Sequence, residues 1–285
     1  MPAPTDVEPM SRAGGSGAVL GMRVDATDRI TSSRLIMRWA AAHESRVVCA
    51  ASVNNVMQAR SNRTYLGAMN RADLVTPDGM PLVWALRGLG MRSAEHVRGT
   101  DLTLAVLDAA EGEGVPVGFL GGSPDVLAGL LGEVARRWPA LRVAYAWSPP
   151  FRPVPPEDDD RIVAAINASG ARILFVGLGC PKQELWMQGH RERVRAVMLG
   201  VGAAFDFLAG SKTEAPPIMQ RTGTEWLFRL ASEPRRLSAR YLRQNPRFLA
   251  LLAIQLTSAW ADRRRRPRGP NRRSTREAGW HDEHS

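Results

Sequence analysis

The stretch Arg172 to Met187, RILFVGLGCPKQELWM, decides the fold. Its first five residues form an apolar run typical of a buried strand. Gly177 and Gly179 end that run, and a cysteine, a proline and three polar residues follow at once. Polar side chains directly after a buried strand are typical of the carboxyl edge of a parallel sheet, where ligands bind. The stretch therefore predicts both a parallel sheet and a site at its edge.

The same succession of strand, polar turn and helix recurs along the chain. Predicted strands alternate with predicted helices, which indicates βαβ units and a mainly parallel sheet. The predicted strands cover 45–51, 72–76, 115–120, 142–147, 172–176 and 196–201. The second of them ends in Pro77-Asp78-Gly79, a strong turn signal. We therefore predict an α/β fold in which helices flank the sheet.

Charge is distributed unevenly along the chain. The 285 residues carry 38 basic and 28 acidic side chains, a net charge of +10. Residues 219–285 alone hold 15 arginines and 6 acidic residues, which accounts for +9 of that total. A basic segment of this kind predicts an anionic partner: a membrane surface, a nucleic acid or a phosphorylated ligand. A nucleic-acid-binding protein is disfavoured because the arginines lack interleaved aromatic residues and no recognition module is evident.

From Ala215 the sequence changes to mostly helix, predicted over 219–232, 234–243 and 246–260. The apolar run 248–260 is too short for the roughly 20 residues that cross a bilayer. Arginines on both sides of it favour a helix lying on an anionic membrane surface, and packing against the sheet is the alternative left open. Four regions are expected: a disordered leader over 1–28, an α/β domain over 29–214, a helical membrane-associating appendage over 215–261, and a basic disordered tail over 262–285.

Several kinds of chemistry do not fit the residues. The dinucleotide fingerprint fails because Lys182 stands where the third glycine after Gly177 and Gly179 belongs. The two cysteines give neither a disulfide framework nor a metal spacing. Residues 1–20 lack the apolar core of a secretory signal. Together these two features predict a reducing, cytoplasmic location. The Asp-x-Asp pattern at Asp158-Asp-Asp160 is typical of metal-bound sugar nucleotides, but acids in the first turn of a helix explain it more simply.

Polar residues at the ends of successive predicted strands are the candidate site. Asparagine and glutamine amides suit hydrogen bonds to a uracil edge or to sugar hydroxyls, and one carboxylate is enough for a general base. The two lysines of this arginine-rich chain, Lys182 and Lys212, lie beside the same segments. The candidates are Asn54, Asp78, Arg98, Gln183, Glu184 and Asp206.

These residues fall within motifs that resemble the WecG/TagA/CpsF glycosyltransferases, glycosyltransferase family 26. The resemblance covers about residues 30–250 in order. The motifs are Thr76-Pro-Asp-Gly79 with Trp84, Val97-Arg-Gly-Thr-Asp-Leu102, Gly121-Gly-Ser-Pro124, Val176-Gly-Leu-Gly-Cys-Pro-Lys-Gln-Glu184, Gly200-Val-Gly-Ala-Ala-Phe-Asp206, Ala215-Pro216, Glu225-Trp-Leu-Phe-Arg-Leu230 and Glu233-Pro-Arg-Arg236.

The resemblance implies a Rossmann-like domain and an inverting transferase that needs neither metal nor other cofactor. It would move an N-acetylmannosamine-type sugar from UDP to undecaprenyl-diphosphate-linked N-acetylglucosamine at the inner face of the plasma membrane. A related transferase using UDP-glucose or another UDP-sugar is the alternative left open, as is a homo-oligomer. No nucleic-acid partner is expected.

The resemblance also implies a role for each site residue. Asp78 would be the catalytic base that deprotonates the acceptor hydroxyl, and Arg98 a further catalytic residue. The substrate-binding residues would be Ser52, Asn54, Lys182, Gln183, Glu184, Asp206, Arg229, Arg235 and Arg236, the last three closing over the diphosphate. Three positions depart from the family pattern: Ser52 replaces a threonine, Glu214 an arginine and Thr224 a leucine.

Overall fold

Six parallel strands form the central sheet of the computed structural model, which describes residues 15–150 and 155–265. The strand order is β4-β3-β8-β7-β5-β6, and every neighbouring pair is parallel. The strands are β3 (Arg46–Ala51), β4 (Leu74–Pro77), β5 (Val117–Gly121), β6 (Val143–Trp147), β7 (Ile173–Gly177) and β8 (Val197–Gly200). The predicted α/β fold with a parallel, Rossmann-like sheet is confirmed.

Helices cover both faces of this sheet because its strands bury side chains alternately on either side. In β7, Ile173 and Phe175 join one apolar cluster, while Leu174 and Val176 join the other. The helices are α1 (Arg29–Ala41), α2 (Val53–Ser61), α3 (Arg63–Arg71), α4 (Met80–Gly88), α5 (Gly99–Gly112), α6 (Pro124–Arg137), α7 (Pro156–Ser169), α8 (Lys182–Gly189), α9 (Ala204–Leu208), α10 (Pro217–Arg221), α11 (Glu225–Ser232) and α12 (Pro234–Arg265).

A hairpin precedes the sheet in the chain. Strands β1 (Ser16–Val19) and β2 (Met22–Asp25) pair antiparallel and bury apolar side chains in the core. The Asp25 carboxylate accepts a hydrogen bond from the backbone N–H of Val75, 2.8 Å away, and so attaches the hairpin to β4. The predicted disordered leader is therefore wrong for residues 16–25, because two strands of four residues are too short to show a clear alternation. Residues 1–14 lie outside the described residues.

The C-terminal helix α12 is continuous, although a break is predicted at Pro246. Proline is tolerated there because it lies on the exposed side of the helix, where water can reach the carbonyl that loses its N–H partner. On the opposite side Phe248 and Leu252 are buried in the core. The Gln255 side chain accepts a hydrogen bond from the Leu20 N–H (2.9 Å) and donates one to the Ala18 carbonyl (2.6 Å), so α12 also holds the hairpin.

Residues 248–260 thus pack on the core with one face of the helix and expose the other, and the membrane-surface interpretation stays a prediction. The helix continues to Arg265, past the predicted appendage boundary at 261. Residues 266–285 of the predicted basic tail lie outside the described residues.

The carboxyl ends of β5 and β7 come so close that a side chain cannot fit between them. Gly121 has a φ of +126°, and a Cβ atom added there would lie 2.5 Å from the carbonyl carbon and oxygen of Gly177. Only glycine adopts this backbone conformation without strain, and here it also leaves room for the neighbouring strand. This close approach forms the floor of the sheet edge where the polar residues gather.

Replacing Gly121 by Ala should therefore lower the free energy of unfolding by about 3 kcal/mol, because backbone strain and overpacking add. Gly132→Ala in α6 is the matched control, since a Cβ there meets nothing within 4 Å. That change should stabilise the protein by about 0.5 to 1 kcal/mol. Urea unfolding of both variants measures the difference, and a Gly121→Ala variant as stable as the parent would contradict the packing described here.

Candidate active site

A cleft of about 1290 Å³ opens at the carboxyl ends of the parallel strands. This volume exceeds the roughly 300–1,000 Å³ of a typical single-ligand pocket. The cleft wall contains eight of the eleven site residues predicted from the sequence: Ser52, Asn54, Asp78, Lys182, Gln183, Glu184, Asp206 and Arg229. The sheet edge predicted to hold the site therefore brings most of its candidates together.

Asp78 lies in the cleft directly after β4. Its backbone N–H donates to the Ala51 carbonyl at 2.8 Å, and its carboxylate accepts from the Gly99 N–H at 3.0 Å. Gly99 begins α5, so the carboxylate also faces the positive end of a helix dipole. Burial raises the pKa of Asp78, and the negative charge of Glu225 adds to that effect, while Arg229, the Gly99 N–H and His96 oppose it. The net raised pKa makes Asp78 a better proton acceptor than an ordinary aspartate.

Arg229 reaches the cleft from α11. Its Nε and Nη2 atoms both donate to the same oxygen of Glu225, at 2.8 and 2.5 Å. The face of the guanidinium lies over the Phe207 ring, with 5.3 Å between its central carbon and the ring centroid. The positive charge of Arg229 acts on the Asp78 carboxyl. A fixed cation thus stands beside the candidate base.

Arg98, predicted to be a further catalytic residue, lies behind the wall of the cleft. Arg98 is buried and is not among the residues that line the cleft in the described chain. Its guanidinium contacts three carboxylates and one amide instead: Asp101 (3.4 Å), Glu214 (3.1 Å), Glu225 (3.6 Å) and Gln220 (2.9 Å). Because three of these partners come from the segment containing α10 and α11, Arg98 holds that segment against the start of α5. Glu214, which departs from the arginine of the family pattern, therefore forms an ion pair with Arg98.

A buried polar network lies at the β7 side of the cleft. The Glu184 carboxylate accepts hydrogen bonds from the Gln183 amide (3.0 Å) and the Asn55 amide (3.2 Å). Asn55 also donates to the Tyr65 hydroxyl at 2.8 Å. Burial raises the pKa of Glu184, and its second carboxylate oxygen is buried without a hydrogen-bond partner. This network orients the Gln183 amide, which lines the cleft.

Sequence reasoning missed Asn55 and Tyr65. Asn55 follows Asn54 directly and gives no separate signal, and Tyr65 lies on a helix that does not directly follow a strand. At the start of α2, the Asn55 side-chain oxygen accepts hydrogen bonds from the backbone N–H (3.0 Å) and the hydroxyl (2.9 Å) of Ser52. The Asn54 amide lies 3.4 Å from the sulfur of Cys180.

The remaining predicted residues lie at the outer part of the cleft or beyond it. Lys212 forms ion pairs of 3.4 Å with both Asp206 and Glu233, and so ties the end of α11 to the cleft wall. Lys182 is exposed at the start of α8. Arg235 is exposed on α12 and is not among the lining residues, and the side chain of Arg236 lies outside the described residues.

Asp158-Asp-Asp160 begins α7, as the helix-dipole interpretation predicts. Asp159 contacts His190 (2.9 Å) and Arg193 (3.1 Å), and Asp160 contacts Arg193 (2.6 Å). Across the residues described by the structure, no three His, Cys, Asp or Glu side chains gather as a metal cluster would require. Among the same residues, no helix combines the length and apolar character needed to cross a membrane.

A comparison with protein families places most of the chain in one of them. The model described as "Glycosyl transferase WecG/TagA/CpsF family" matches residues 18–262. The match includes the end of β1, all of β2, the whole parallel sheet and nearly all of α12.

Replacing Asp78 by Asn should raise the melting temperature at neutral pH, because Asn removes the cost of a buried charge. The folded pKa of Asp78 lies above its unfolded value, so the parent loses stability as pH rises through that window. The gain should therefore be largest above the raised pKa and should disappear towards the ordinary aspartate range near about pH 4. Thermal unfolding between about pH 8 and pH 4 measures it.

Asp159→Asn is the control of opposite sign. Partial burial raises the pKa of Asp159, but hydrogen bonds and charges from His190 and Arg193 outweigh this and lower it. The variant should therefore be less stable than the parent at neutral pH, and the loss should fade as pH falls through the lowered pKa. Equal losses in the two variants at about pH 8 would contradict the buried position of Asp78.

Proposed function

This chain belongs to the glycosyl transferase WecG/TagA/CpsF family, and we propose that it transfers an N-acetylmannosamine-type sugar from UDP to undecaprenyl-diphosphate-linked N-acetylglucosamine. Family membership makes it a glycosyltransferase of cell-surface polysaccharide synthesis, and dependence on a UDP-sugar is consistent with that family. The identity of the sugar, the acceptor, the inversion of configuration and the independence from metal are part of the proposal.

One observation supports this reaction above the others: a carboxyl group of raised pKa, Asp78, faces a large cleft with a fixed arginine beside it. One oxygen of Asp78 accepts from the Gly99 N–H, which leaves the other to take the proton of the acceptor hydroxyl. The acceptor oxygen then forms a bond to C1 of the donor sugar as the bond from C1 to the UDP oxygen breaks. Attack from the face opposite UDP gives inversion.

The departing UDP carries away the bonding electron pair, so negative charge develops on its diphosphate. Arg229 is the cation best placed for that charge, because its fork is fixed by Glu225 within the cleft. Fixed cations of this kind stabilise a leaving group without reorganisation, and an arginine fork suits phosphate oxygens. Lys182 and Arg235 are proposed as outer contacts, since both are exposed. The diphosphate contact predicted for Arg236 stays a prediction, since its side chain lies outside the described residues.

The amides of Asn54 and Gln183 are proposed to contact the uracil or the sugar hydroxyls of the donor. Gln183 is buried at the cleft wall and held by Glu184, so its orientation is set before any ligand binds. Ser52 and Asp206 are proposed as further donor contacts, because both line the same cleft. The role proposed for Glu184 is to hold the Gln183 amide.

A membrane-bound acceptor requires the cleft to lie close to a lipid surface. The outer face of α12 exposes Leu242 (71%), Ile254 (63%), Leu249 (55%) and Trp260 (55%), with Arg243 and Arg247 beside them. Exposed apolar side chains flanked by arginines suit a helix lying on an anionic bilayer. Leu249 also lines the cleft, which connects the two surfaces. We therefore propose peripheral binding to the cytoplasmic face of the plasma membrane.

Asp78→Asn should reduce kcat by about 10² to 10⁴-fold, the usual contribution of a general base, while donor binding persists. The assay measures UDP release from a panel of UDP-sugars with a prenyl-diphosphate-linked N-acetylglucosamine, in the presence and absence of EDTA. The N-acetylmannosamine donor should give the fastest release. A faster rate with UDP-glucose would replace the proposed donor, and a near-normal rate for the variant would remove Asp78 as the base.

Leu242→Glu with Ile254→Glu should weaken binding to vesicles of phosphatidylglycerol and phosphatidylcholine by at least about tenfold, since two apolar contacts are lost and two negative charges added. Point changes are preferred to removal of α12, because that helix buries Phe248 in the core. Ile30→Glu is the control, as Ile30 is equally apolar and 57% exposed but lies on α1. If the α12 double variant floated with vesicles as well as Ile30→Glu does, the proposed membrane-binding surface on α12 would be contradicted.

A further inference from the structure

Glu225 occupies a position that the reaction outlined above does not use. It is the first residue of α11, and its side chain is largely buried between two arginines. One carboxylate oxygen accepts both hydrogen bonds from Arg229, and the other lies 3.6 Å from Nε of Arg98. Glu225 therefore connects the buried arginine behind the cleft with the arginine inside it.

We propose that Glu225 is a positioning residue that fixes Arg229 beside Asp78, and that Arg98 acts on the reaction through Glu225. This inference rests on the proposed function of the cleft. It goes beyond it by giving a defined task to Arg98, which lies outside the cleft wall, and to Glu225, which lines the cleft with its carboxylate held between two arginines.

The geometry around Arg229 supports this role. Glu225 binds one edge of the guanidinium, and the Phe207 ring lies against its face. An arginine side chain held at an edge and a face has few rotamers left, so it pays little entropy when a diphosphate binds. Arg229 and Asp78 line the same cleft.

The contacts of Arg98 explain why Glu225 itself stays in place. Arg98 is held from the α5 side by Asp101 and from the α10 side by Glu214 and Gln220. It is 4% exposed, so its attraction for Glu225 is only weakly screened by water. A change at Arg98 would therefore reach Asp78 through Glu225 and Arg229.

The two members of the Glu225–Arg229 pair act on Asp78 with opposite sign. The carboxylate of Glu225 raises the pKa of Asp78 and the guanidinium of Arg229 lowers it, while His96 and the Gly99 N–H also lower it and burial raises it. Removing either charge should therefore shift the Asp78 titration in a direction set by the sign of that charge. The two directions test whether Glu225 and Arg229 both act on Asp78.

Glu225→Gln keeps the size of the side chain and an oxygen for Arg229 but removes the charge. The acid limb of kcat/KM, where activity is lost as Asp78 becomes protonated, should move to lower pH. Arg229→Gln should move it to higher pH. Glu214→Gln, which also loses a contact to Arg98 but has no contact to Arg229, should leave the limb in place. The proposal would be overturned if the acid limb of kcat/KM did not move in Glu225→Gln and Arg229→Gln, or if it moved in the same direction in both.

Positioning is tested separately from charge by Glu225→Ala, which also removes the oxygen that Arg229 binds. We expect a loss in kcat of about 10- to 100-fold, larger than that of Glu225→Gln. Adding Arg98→Gln to Glu225→Ala should cost little more, because the two residues act in series. Independent, additive losses would show that Arg98 acts by another route and would overturn the second half of the proposal.

A measurement without turnover distinguishes this proposal from the proposed function. The Asp78 carboxyl can be titrated by carbon NMR, with Asp78→Asn identifying its resonance, in the full chain without substrates. Opposite shifts in Glu225→Gln and Arg229→Gln would show that both charges lie close enough to act on Asp78, as the positioning role requires, even if no tested UDP-sugar were turned over. Normal transfer by the parent with an unmoved titration in both variants would overturn the positioning role and leave the transferase intact.

Discussion

A carboxyl group held at the buried end of β4 carries a free-energy cost, and much of the structure around the cleft offsets it. Burying a charge is expensive unless donors and opposite charges are near. Asp78 receives the Gly99 N–H and lies beside Arg229, which in turn depends on Glu225 and Arg98. The start of α5 and the side chains of α11 thus surround one carboxylate. Because these donors and charges offset only part of the cost of burial, the pKa of Asp78 stays raised.

The sequence predicted the sheet well because its signals are local. The apolar run from Ile173 to Val176 and the glycines after it mark a buried strand and its end, and residues at strand ends meet at one edge by the geometry of parallel sheets. The hairpin at 16–25 and the role of Arg98 depend on contacts between residues far apart in the chain. Arg98 meets Glu214 from 116 positions away, and no local pattern shows such a contact.

The apolar run of helix α12 was left open in the sequence between packing on the core and lying on a membrane surface. Its apolar residues surround most of the helix, so hydropathy alone does not choose between a core face and a membrane face. The structure divides them: Phe248 and Leu252 pack inward, and Leu242 and Ile254 point outward. Because Gln255 also bonds the β1–β2 hairpin, the surface proposed to meet the membrane is braced by the core of the domain.

Under the proposed function, the same electrostatics would give the two substrates an order. A donor diphosphate bound at Arg229 would neutralise part of the positive charge that lowers the pKa of Asp78. The carboxylate would then become more basic once the donor is in place, while Glu225 keeps its own opposing charge. A base that strengthens when the donor arrives would be most effective when the acceptor hydroxyl approaches second, and it would weaken again when UDP leaves. The ion pair between Glu225 and Arg229 would thus link proton transfer at Asp78 to the occupancy of the diphosphate site.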